Sequence, residues 1–268
     1  MCARDSRAGL DRVAELLAEA DSALFVTGAG ISADSGLPTY RGVGGLYEDL
    51  NTEEGVPIEV LLSGETFARR PDLTWKYIGQ IEEACRHAKC NGAHRFMARL
   101  ECVLDRVCVL TQNVDGLHRQ AGSEAVIDIH GDIHHLLCTR CEHGFSVEDY
   151  AGLAMPPHCG RCDGLVRPDV VLFGEMLPVD KIERLRREVE QGFDVVFSIG
   201  TSSLFPYIAA PLLRAKAQGQ PTVEINPAET GLSGEVDVKL ALGAEAACEG
   251  IWTRFVHLRG LDPNALPS

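Results

Sequence analysis

Apolar and polar residues alternate in blocks along this chain, and the blocks have two different periods. Four short runs are mostly apolar and are followed by small or polar residues: 23–26, 107–110, 125–129 and 195–199. A fifth run of the same length, 222–225, alternates polar and apolar residues. Between them, apolar residues recur three and four positions apart, first at 10–17 and then near 72–88, 91–104 and 208–218. Short apolar runs favour buried strands, and the longer period favours amphipathic helices. Their repeated alternation predicts an α/β fold with a parallel sheet.

The first predicted strand runs into a glycine-rich turn, Gly28-Ala29-Gly30-Ile31-Ser32. With an alanine in third place, the spacing fits the relaxed G-x-G-x-x-G/A pattern, whose glycines let a pyrophosphate approach the main chain. Ser32 is a candidate cap for a following helix, whose amino terminus favours an anion. An ordinary strand-to-helix turn of any α/β protein is the alternative. Pro38 should end that helix, and Arg41 then precedes a glycine-rich flap over residues 42–45.

Three other strand ends carry small or polar residues: Gln112-Asn113-Val114-Asp115, Gly200-Thr201-Ser202-Ser203 and Asn226. In a doubly wound sheet the carboxyl ends of the strands meet at one crevice, where small residues suit phosphates and ribose hydroxyls. His130 follows a further predicted strand and is the group at this edge that titrates near neutral pH. The pattern therefore predicts a nucleotide site with an acid–base residue beside it.

Four of the ten cysteines form two pairs of identical spacing, Cys138-Thr139-Arg140-Cys141 and Cys159-Gly160-Arg161-Cys162, separated by the 17 residues 142–158. This pattern is typical of a four-thiolate zinc site, and closed sites of that kind stabilise a fold rather than catalyse a reaction. We therefore predict one structural Zn²⁺ held by these four cysteines. Two disulfides, or four unrelated thiols, are the alternative.

The composition limits which binding partners and which cellular compartment we expect. The 268 residues include 39 acidic and 25 basic side chains, a formal net charge of −14, which disfavours nucleic acid and anionic membrane surfaces as partners. No apolar run approaches the roughly 20 residues of a membrane-spanning helix. Residues 10–17 have an amphipathic pattern, unlike the apolar block of a signal peptide. Since the sequence does not indicate secretion, we expect the ten cysteines to lie in a reducing compartment. We expect a cytoplasmic protein.

Taken together and in order, the motifs resemble those of the sirtuins, the NAD-dependent protein lysine deacylases. The matching segments are Gly28-Ala29-Gly30-Ile31-Ser32, Ser35-Gly36-Leu37-Pro38, Arg41-Gly42, Gln112-Asn113-Val114-Asp115-Gly116-Leu117-His118, Ile129-His130-Gly131, the two cysteine pairs, Phe173-Gly174-Glu175, Gly200-Thr201-Ser202 and Val223-Glu224-Ile225-Asn226. The resemblance implies a Rossmann-like, doubly wound parallel sheet with a smaller lobe made of a helical module and the zinc module. It predicts a single catalytic domain over 1–268. The Rossmann-like lobe would comprise 1–45, 92–130 and 168–268, and the small lobe 46–91 and 131–167.

The resemblance also implies a chemistry. NAD would lie across the crevice, with its pyrophosphate at the first glycine-rich turn and near Ser202. Asn226 would contact the adenine-side ribose, and Ala244 would line the adenine site. The full cofactor set would be Gly28, Ala29, Gly30, Ile31, Ser32, Arg41, Gln112, Asn113, Asp115, Gly200, Thr201, Ser202, Asn226 and Ala244. Asp115 and the Ile31 main chain would hold the nicotinamide carboxamide.

In the same scheme His130 would be the general base, and Asn113 would orient ribose and water. The products would be free lysine, nicotinamide and O-acyl-ADP-ribose. The acylated lysine would arrive on an extended peptide, added as a strand between Gly164–Leu165 on one side and Val170–Val171 on the other. Phe173 would line the apolar tunnel for the acyl-lysine stem, and the Val171 carbonyl would accept its amide N–H.

Two positions bear on the acyl group. Thr39 stands where many deacetylases of the family have aspartate, which resembles the branch of desuccinylases and demalonylases. That branch recognises acidic acyl groups with a Tyr-x-x-Arg pair, and the best-aligned segment here, Tyr77-Ile78-Gly79-Gln80, lacks the arginine. Burying a carboxylate without a cation is costly, so we expect neutral acyl groups such as acetyl to be preferred. Desuccinylation or demalonylation, and mono-ADP-ribosyl transfer, are the alternatives.

Overall fold

The computed structural model of this protein describes residues 3–38 and 52–262. The earlier elements, in chain order, are α1 (Ala3–Glu19), β1 (Ser22–Thr27), the 3₁₀ segment η1 (Ala29–Ser35), α2 (Ile58–Leu61), α3 (Gly64–Arg69), α4 (Pro71–Cys85), α5 (Gly92–Glu101), β2 (Arg106–Thr111), α6 (Leu117–Gln120) and β3 (Val126–Asp128). The later elements are β4 (Gly131–Cys138), β5 (Gly144–Ser146), β6 (Val166–Val170), α7 (Val179–Gln191), β7 (Val195–Ile199), α8 (Pro206–Ala217), β8 (Thr222–Ile225), β9 (Val238–Leu240) and α9 (Ala244–Arg259). Within the described ranges, no helix combines the length and the apolar character needed to span a membrane.

Six strands form one parallel sheet in the order β3-β2-β1-β7-β8-β9. β1, β2, β7 and β8 are buried along almost their whole length, as expected for parallel strands with helices on both faces. On the face covered by α1, α5 and α9, Phe25 stacks on Phe197 with ring centroids 4.7 Å apart. α7 and α8 cover the other face. The predicted α/β fold with a parallel sheet is confirmed.

The strand order fixes the place of the crevice. β1 pairs with β2 on one side and with β7 on the other, so the order reverses between β1 and β7. Ligands of doubly wound sheets bind at this switch point, outside the carboxyl ends of the strands. Residues 28–32 and 200–203 follow β1 and β7 directly and therefore lie at this point.

A second, antiparallel sheet has three strands in the order β5-β4-β6. Its inner residues share one apolar cluster with α2, α3 and α4. Trp75 of α4 donates from Nε1 to the carbonyl oxygen of Val166, 3.0 Å away, and its ring lies edge-on to Tyr150. The helical segment and the segment with the four cysteines thus have a common core. The predicted lobe boundary between residues 167 and 168 falls inside β6, whose Val170 still pairs with Gly131 of β4.

Local signals explain several helix ends. Asn91 caps α5, because its Oδ1 accepts from the N–H of Ala93 at 2.9 Å. Pro71 is the first residue of α4, where a missing N–H costs nothing. η1 ends at Ser35, and Gly36 follows with a φ of 81°. The helical segment therefore ends before Pro38, as the sequence predicts.

Candidate active site

Two glycine-containing loops meet at the carboxyl ends of β1 and β7. The N–H of Gly30 donates to the carbonyl oxygen of Gly200 over 2.8 Å. A Cβ added at Gly30 would lie 2.7 Å from the Cα of Gly200, and a Cβ at Gly28 would lie 2.7 Å from the Cβ of Thr201. Gly200 itself has a φ of 61°. The sequence pattern explains these glycines by the close approach of a phosphate. The structure shows a second reason, because the close contact between the two loops leaves no room for a Cβ at Gly28 or Gly30.

The prediction that Ser32 caps a following helix is wrong. Residues 29–35 form a 3₁₀ segment, and Ser32 lies inside it rather than at its amino end. The Ser32 hydroxyl instead donates to Oδ2 of Asp115 over 2.7 Å, and Asn113 donates from Nδ2 to the Ser32 oxygen over 3.2 Å. Ser32 therefore ties the first glycine-rich turn to the residues that follow β2.

Amide side chains join the other strand ends. Gln112 donates from Nε2 to the Thr201 hydroxyl at 2.7 Å, and Asn226 donates from Nδ2 to the Thr201 carbonyl at 3.2 Å. Asn113 donates from Nδ2 to the carbonyl oxygen of Gly28 at 3.2 Å. Predicted cofactor residues from the ends of β1, β2, β7 and β8 are thus brought together. Their hydroxyl, amide and carboxylate groups, with close-fitting glycine loops, suit the ribose hydroxyls and carboxamide of a dinucleotide.

The Asp115 carboxylate is fixed by local hydrogen bonds. Its Oδ1 accepts from the N–H of Leu117 at 3.0 Å, and its Oδ2 accepts from Ser32. Burial raises the pKa of Asp115 above its ordinary value, and these two bonds oppose the shift because they stabilise the charged form. Asp115 lines a small cavity together with Asn113 and Asp132. It is therefore a preorganised acceptor for a polar ligand group.

The remaining predicted cofactor residues differ in exposure. Ile31 is fully buried, and Ala244, the first residue of α9, is 4% exposed. Ala29 is half-buried and Ser202 is exposed. Burial leaves Ile31 and Ala244 little side-chain surface for a ligand, so their contributions would be main-chain contacts and shape. The predictions for Arg41, for Thr39 and for the flap over residues 42–45 lie outside the described residues.

Both ring nitrogens of His130 are engaged. Nδ1 lies 3.0 Å from the carbonyl oxygen of Gln112, and Nε2 lies 2.7 Å from the hydroxyl of Tyr207. Since a carbonyl oxygen only accepts, Nδ1 carries the hydrogen and Nε2 carries the lone pair. Burial lowers the pKa of His130 below its ordinary value, partly offset by the bond to Gln112. Near pH 7 the ring is therefore neutral with a basic Nε2, the form that a general base needs.

Val171 and Phe173 lie in the loop that follows β6. The N–H of Val171 donates to the carbonyl oxygen of His130 at 2.9 Å, which places this loop beside the predicted base. Phe173 pairs through its main chain with Leu62 and Gly64, at 2.9 and 3.1 Å. Its side chain is 38% exposed, so an apolar ring is accessible next to the crevice.

One side of the predicted peptide groove is wrong. Gly164–Leu165 and Val170–Val171 lie at opposite ends of β6, about 20 Å apart at the rise of an extended strand. The carbonyl oxygens of Gly164 and Leu165 accept from Cys159 and Thr139, at 2.8 and 2.9 Å. Residues 164–165 therefore belong to the module of the four cysteines and do not face Val170–Val171 across a groove.

Tyr77 and Gln80 are three residues apart on α4, which makes them neighbours on the helix, and they differ in exposure. Tyr77 is buried, and its hydroxyl donates to the carboxylate of Glu54. Lys76 donates to the same carboxylate at 2.7 Å. Gln80 lies on the exposed face of α4, whereas the next residue, Ile81, packs against the apolar cluster of the small sheet. The Tyr77 hydroxyl is thus already engaged by Glu54, and the alignment with a Tyr-x-x-Arg pair stays a prediction.

The four predicted zinc ligands form a cluster. The Sγ atoms of Cys138, Cys141, Cys159 and Cys162 all lie within 4.8 Å of one another. The Sγ atoms of Cys138 and Cys162 are 3.4 Å apart, and those of Cys141 and Cys159 are 3.7 Å apart, beyond the ~2.0 Å of a disulfide bond. A tetrahedron with Zn–S bonds of ~2.3 Å has edges of ~3.8 Å, close to these distances. Two main-chain N–H groups also donate to the sulfurs at 3.4 Å. The residues fit a structural zinc ion, and the disulfide alternative is wrong.

Comparisons with known proteins agree on one family. A sequence profile described as the Sir2 family matches residues 28–205. A Pseudomonas aeruginosa protein named NAD-dependent protein deacylase 2 is 48% identical over 240 residues, which are 88% of this chain and 93% of the relative. A mutant Sir2 homologue in complex with ADP-ribose is similar with a TM-score of 0.84 and 37% identity, covering 94% of this chain and 98% of the other. A structure described as Sir2 with p53 peptide and NAD⁺ is similar with a TM-score of 0.78 and 28% identity, covering 90% of this chain and 96% of the other.

Proposed function

This chain belongs to the Sir2 family and is an NAD-dependent protein lysine deacylase, in which we propose that His130 is the general base. One observation carries the proposal. The Gln112 carbonyl fixes the hydrogen of His130 on Nδ1, so Nε2 presents a lone pair at the edge of the sheet where the nucleotide residues meet. A neutral imidazole held in this tautomer can accept a proton from a hydroxyl near pH 7.

The crevice residues would hold the co-substrate. When bound, NAD supplies a ribose carbon that becomes electrophilic as nicotinamide leaves, and the acyl oxygen of the substrate can attack it. The turn at residues 28–32 and the loop at residues 200–202 would hold the phosphates, with Asn226 at the adenine-side ribose. Asp115 would accept from the carboxamide N–H₂, and Asn113 would orient the ribose hydroxyl whose proton His130 accepts.

The peptide substrate would bind as an extended strand along the loop that contains Val171 and Phe173. The backbone bond from Val171 to His130 supports this placement, because it holds the loop at the base. For the second side of the groove we replace Gly164–Leu165 by Leu204 and Phe205. Leu204 is 73% exposed, and the ring of Phe205 lies 6.2 Å from that of His130. An extended chain between these loops would meet main-chain and apolar partners on both sides.

Neutral acyl groups would be preferred over succinyl or malonyl. Gln80 supplies no charge and lies on the exposed face of α4, and the Tyr77 hydroxyl is already bonded to the carboxylate of Glu54. A second carboxylate brought to Tyr77 would meet a like charge, which is unfavourable in a partly buried site. Zinc at the four cysteines would have a structural role only.

The chain would act as one catalytic domain with two lobes, and the cytoplasm is the compartment we propose. The shared core of α2–α4 with β4–β6 supports a small lobe built from two separate segments. The absence of disulfides among the described cysteines fits a reducing compartment.

The test is a panel of acetyl-, longer neutral acyl-, malonyl- and succinyl-lysine peptides, incubated with and without NAD and followed by mass spectrometry. We expect NAD-dependent removal of neutral acyl groups. His130→Ala should lower turnover by about 10²–10⁴-fold and leave NAD binding intact, because it removes only the base. His87→Ala, a change at an exposed histidine of the α4–α5 connection, is the matched control and should keep full turnover.

Near-full turnover in His130→Ala would overturn the proposed base. A protein that gains an ADP-ribosyl group while the peptide keeps its acyl group would indicate mono-ADP-ribosyl transfer instead. Faster removal of succinyl than of acetyl would overturn the proposed acyl preference and leave the deacylase activity standing.

A further inference from the structure

The hydroxyl of Tyr207 occupies the lone pair that the proposed base uses. It lies 2.7 Å from Nε2 of His130, and the Gln112 carbonyl holds the hydrogen on Nδ1. In the neutral ring Nε2 can only accept, so the phenol O–H is the donor. The imidazole is therefore held from both ends, by a main-chain carbonyl on one nitrogen and by a phenol on the other.

Tyr207 is itself firmly placed. It is the second residue of α8, directly after Pro206 and before the buried Ile208. Its ring stacks on that of Phe205 at 5.5 Å and 17°. Both rings lie edge-on to His130, at 87° for Phe205 and 80° for Tyr207. The first turn of α8 thus presents the phenol oxygen to the base from a fixed direction.

We propose that Tyr207 is a positioning residue for the deacylation reaction, which holds Nε2 of His130 and then stabilises the imidazolium that forms. The inference rests on the proposed role of His130. Before reaction, the phenol donates to Nε2 and sets the orientation of the ring. When the ribose hydroxyl arrives, the phenol O–H turns away and frees the single lone pair of Nε2. The ribose proton then moves to Nε2, and the ribose oxygen keeps the electron pair. The phenol oxygen can then accept from the new Nε2–H, since a hydroxyl serves in either role.

The charges around His130 make such an acceptor useful. Burial disfavours the imidazolium and lowers the pKa of His130, and the Lys181 ammonium lowers it further. Lys181 is partly neutralised by the Asp128 carboxylate, 3.1 Å away. Gln112 and Tyr207 are the described groups that bond to the ring itself. A hydrogen bond from a charged donor is roughly twice as strong as a neutral one, so removing the phenol should weaken the imidazolium more than the neutral ring.

The first test needs neither substrate nor cofactor. Tyr207→Phe keeps the ring and removes one oxygen, and ¹⁵N-histidine NMR reports the state of Nε2 during a pH titration. We expect the unprotonated Nε2 of His130 to lose the shift of a hydrogen-bonded nitrogen, and its pKa to fall. His130→Ala assigns the resonance. Tyr150→Phe is the matched control, because Tyr150 donates to the carbonyl of Ile133 in the small sheet and should leave the His130 spectrum unchanged.

The second test is the pH dependence of deacylation of an acetyl-lysine peptide. In Tyr207→Phe we expect kcat to fall about three- to ten-fold, with the KM for NAD little changed. The acid limb of kcat/KM, which reports the free enzyme, should move to lower pH. A merely structural role would lower the melting temperature and leave this limb in place.

The outcomes separate the two claims. An unchanged Nε2 shift together with an unchanged acid limb in Tyr207→Phe would overturn the role of Tyr207 and leave His130 as the base. Full turnover in His130→Ala would overturn the proposed function, whatever the spectrum of Tyr207→Phe shows.

Discussion

The two sheets of this protein are held together by different means. The strands of the parallel sheet are buried on both faces, and Phe25 and Phe197 stack at its centre. In the three-stranded sheet, β5 is exposed or half-exposed along its whole length, and the four cysteines lie beside β4 and β6. The inner face of this sheet is buried against α2, α3 and α4, but its outer strand is open to solvent, so we expect zinc at the four cysteines to add to its stability. The nucleotide crevice therefore belongs to a region that is buried on both faces, while the proposed substrate side borders the lobe in which the four cysteines would hold zinc.

The two tryptophans of the chain allow each region to be followed separately. Trp252 of α9 lies in the apolar cluster beneath α1 and α5, and Trp75 of α4 lies in the cluster of the small sheet. Trp75→Phe and Trp252→Phe give proteins with a single tryptophan, whose fluorescence reports one side at a time.

The largest expected effect comes from loss of the metal. Cys141→Ser should release zinc, because a closed thiolate site needs all four ligands, and zinc sites of this kind bind with on the order of 10 kcal/mol of free energy. We expect the fluorescence of Trp75 to report unfolding around the three-stranded sheet, and that of Trp252 to report a largely retained parallel sheet. Deacylation should be lost.

Metal analysis, chemical denaturation and hydrogen exchange on β1 and β4 measure these changes. Cys102→Ser, at an exposed cysteine outside the cluster, is the control. A metal-free wild-type protein with an unchanged melting curve and full activity would end the zinc assignment.

The next effect is a matched pair of truncations. Phe25→Ala removes a fully buried ring that stacks on Phe197, and it should lower the free energy of unfolding by about 3–5 kcal/mol. Phe145→Ala in β5 removes a half-buried ring and should cost clearly less. Urea unfolding followed through Trp252 and Trp75 measures both. Equal costs would contradict the view that the centre of the parallel sheet is more densely packed than β5.

The third expected effect is a pH dependence of the free energy of unfolding that two buried histidines near β1 cause. His94 and His118 are buried with rings 4.9 Å apart, and His118 bonds through Nε2 to Thr27 of β1. Burial lowers the pKa of His94 to about 4 and that of His118 well below its ordinary value of 6.5. Below pH 6.5 the unfolded chain binds protons that the folded chain does not. The contribution of these two histidines to stability should therefore be constant above this pH and fall below it, by about 1.4 kcal/mol per pH unit for each histidine, until the folded histidines also protonate.

Urea unfolding of the Trp75→Phe protein at pH 7.5, 6.0 and 5.0 checks this slope on the side that holds the histidines. Adding His118→Gln should reduce the slope by the share of one histidine. A slope that is the same with and without that change would show that other groups cause it.

The smallest effect is expected at Gln80. Since its side chain lies on the exposed face of α4, Gln80→Arg should change the free energy of unfolding by less than about 0.5 kcal/mol. For the same reason we expect the ratio of desuccinylation to deacetylation to change little, as measured on the two peptides in parallel. A large gain on succinyl-lysine would instead show that position 80 reaches the acyl group and would support the Tyr-x-x-Arg alignment.

The contrast between the sheets also explains what the sequence could predict. β1, β2 and β7 are found within a residue of the apolar runs, because strands buried on both faces are almost continuously apolar. β4 has no such run, because Asp132, His134 and His135 interrupt its apolar pattern, and it is therefore not predicted. The cysteine cluster is predictable since ligand spacing is local to the chain.

Long-range geometry limited the prediction of the site. Tyr207 carries no motif, and only the packing of α8 against the crevice brings it to His130, 77 residues earlier. The error at Gly164–Leu165 has the same origin, because whether two segments face each other depends on strand pairing. The error at Ser32 is local, because the same glycine-rich sequence can precede an α-helix or a 3₁₀ segment.

The arrangement of the first and last helices has a consequence for the order of events during synthesis. α1 and α9 pack side by side, with Arg254 bonded to Asp11 and Arg259 donating to the carbonyl of Ala20 at 2.7 Å. β1 likewise pairs with β7, so that Leu24 lies opposite Val196. A ribosome must release most of the described chain before either contact can form, and such distant contacts are slow to close. Until then α1 and β1 lack one of their native apolar partners, so the incomplete chain exposes surface that favours aggregation.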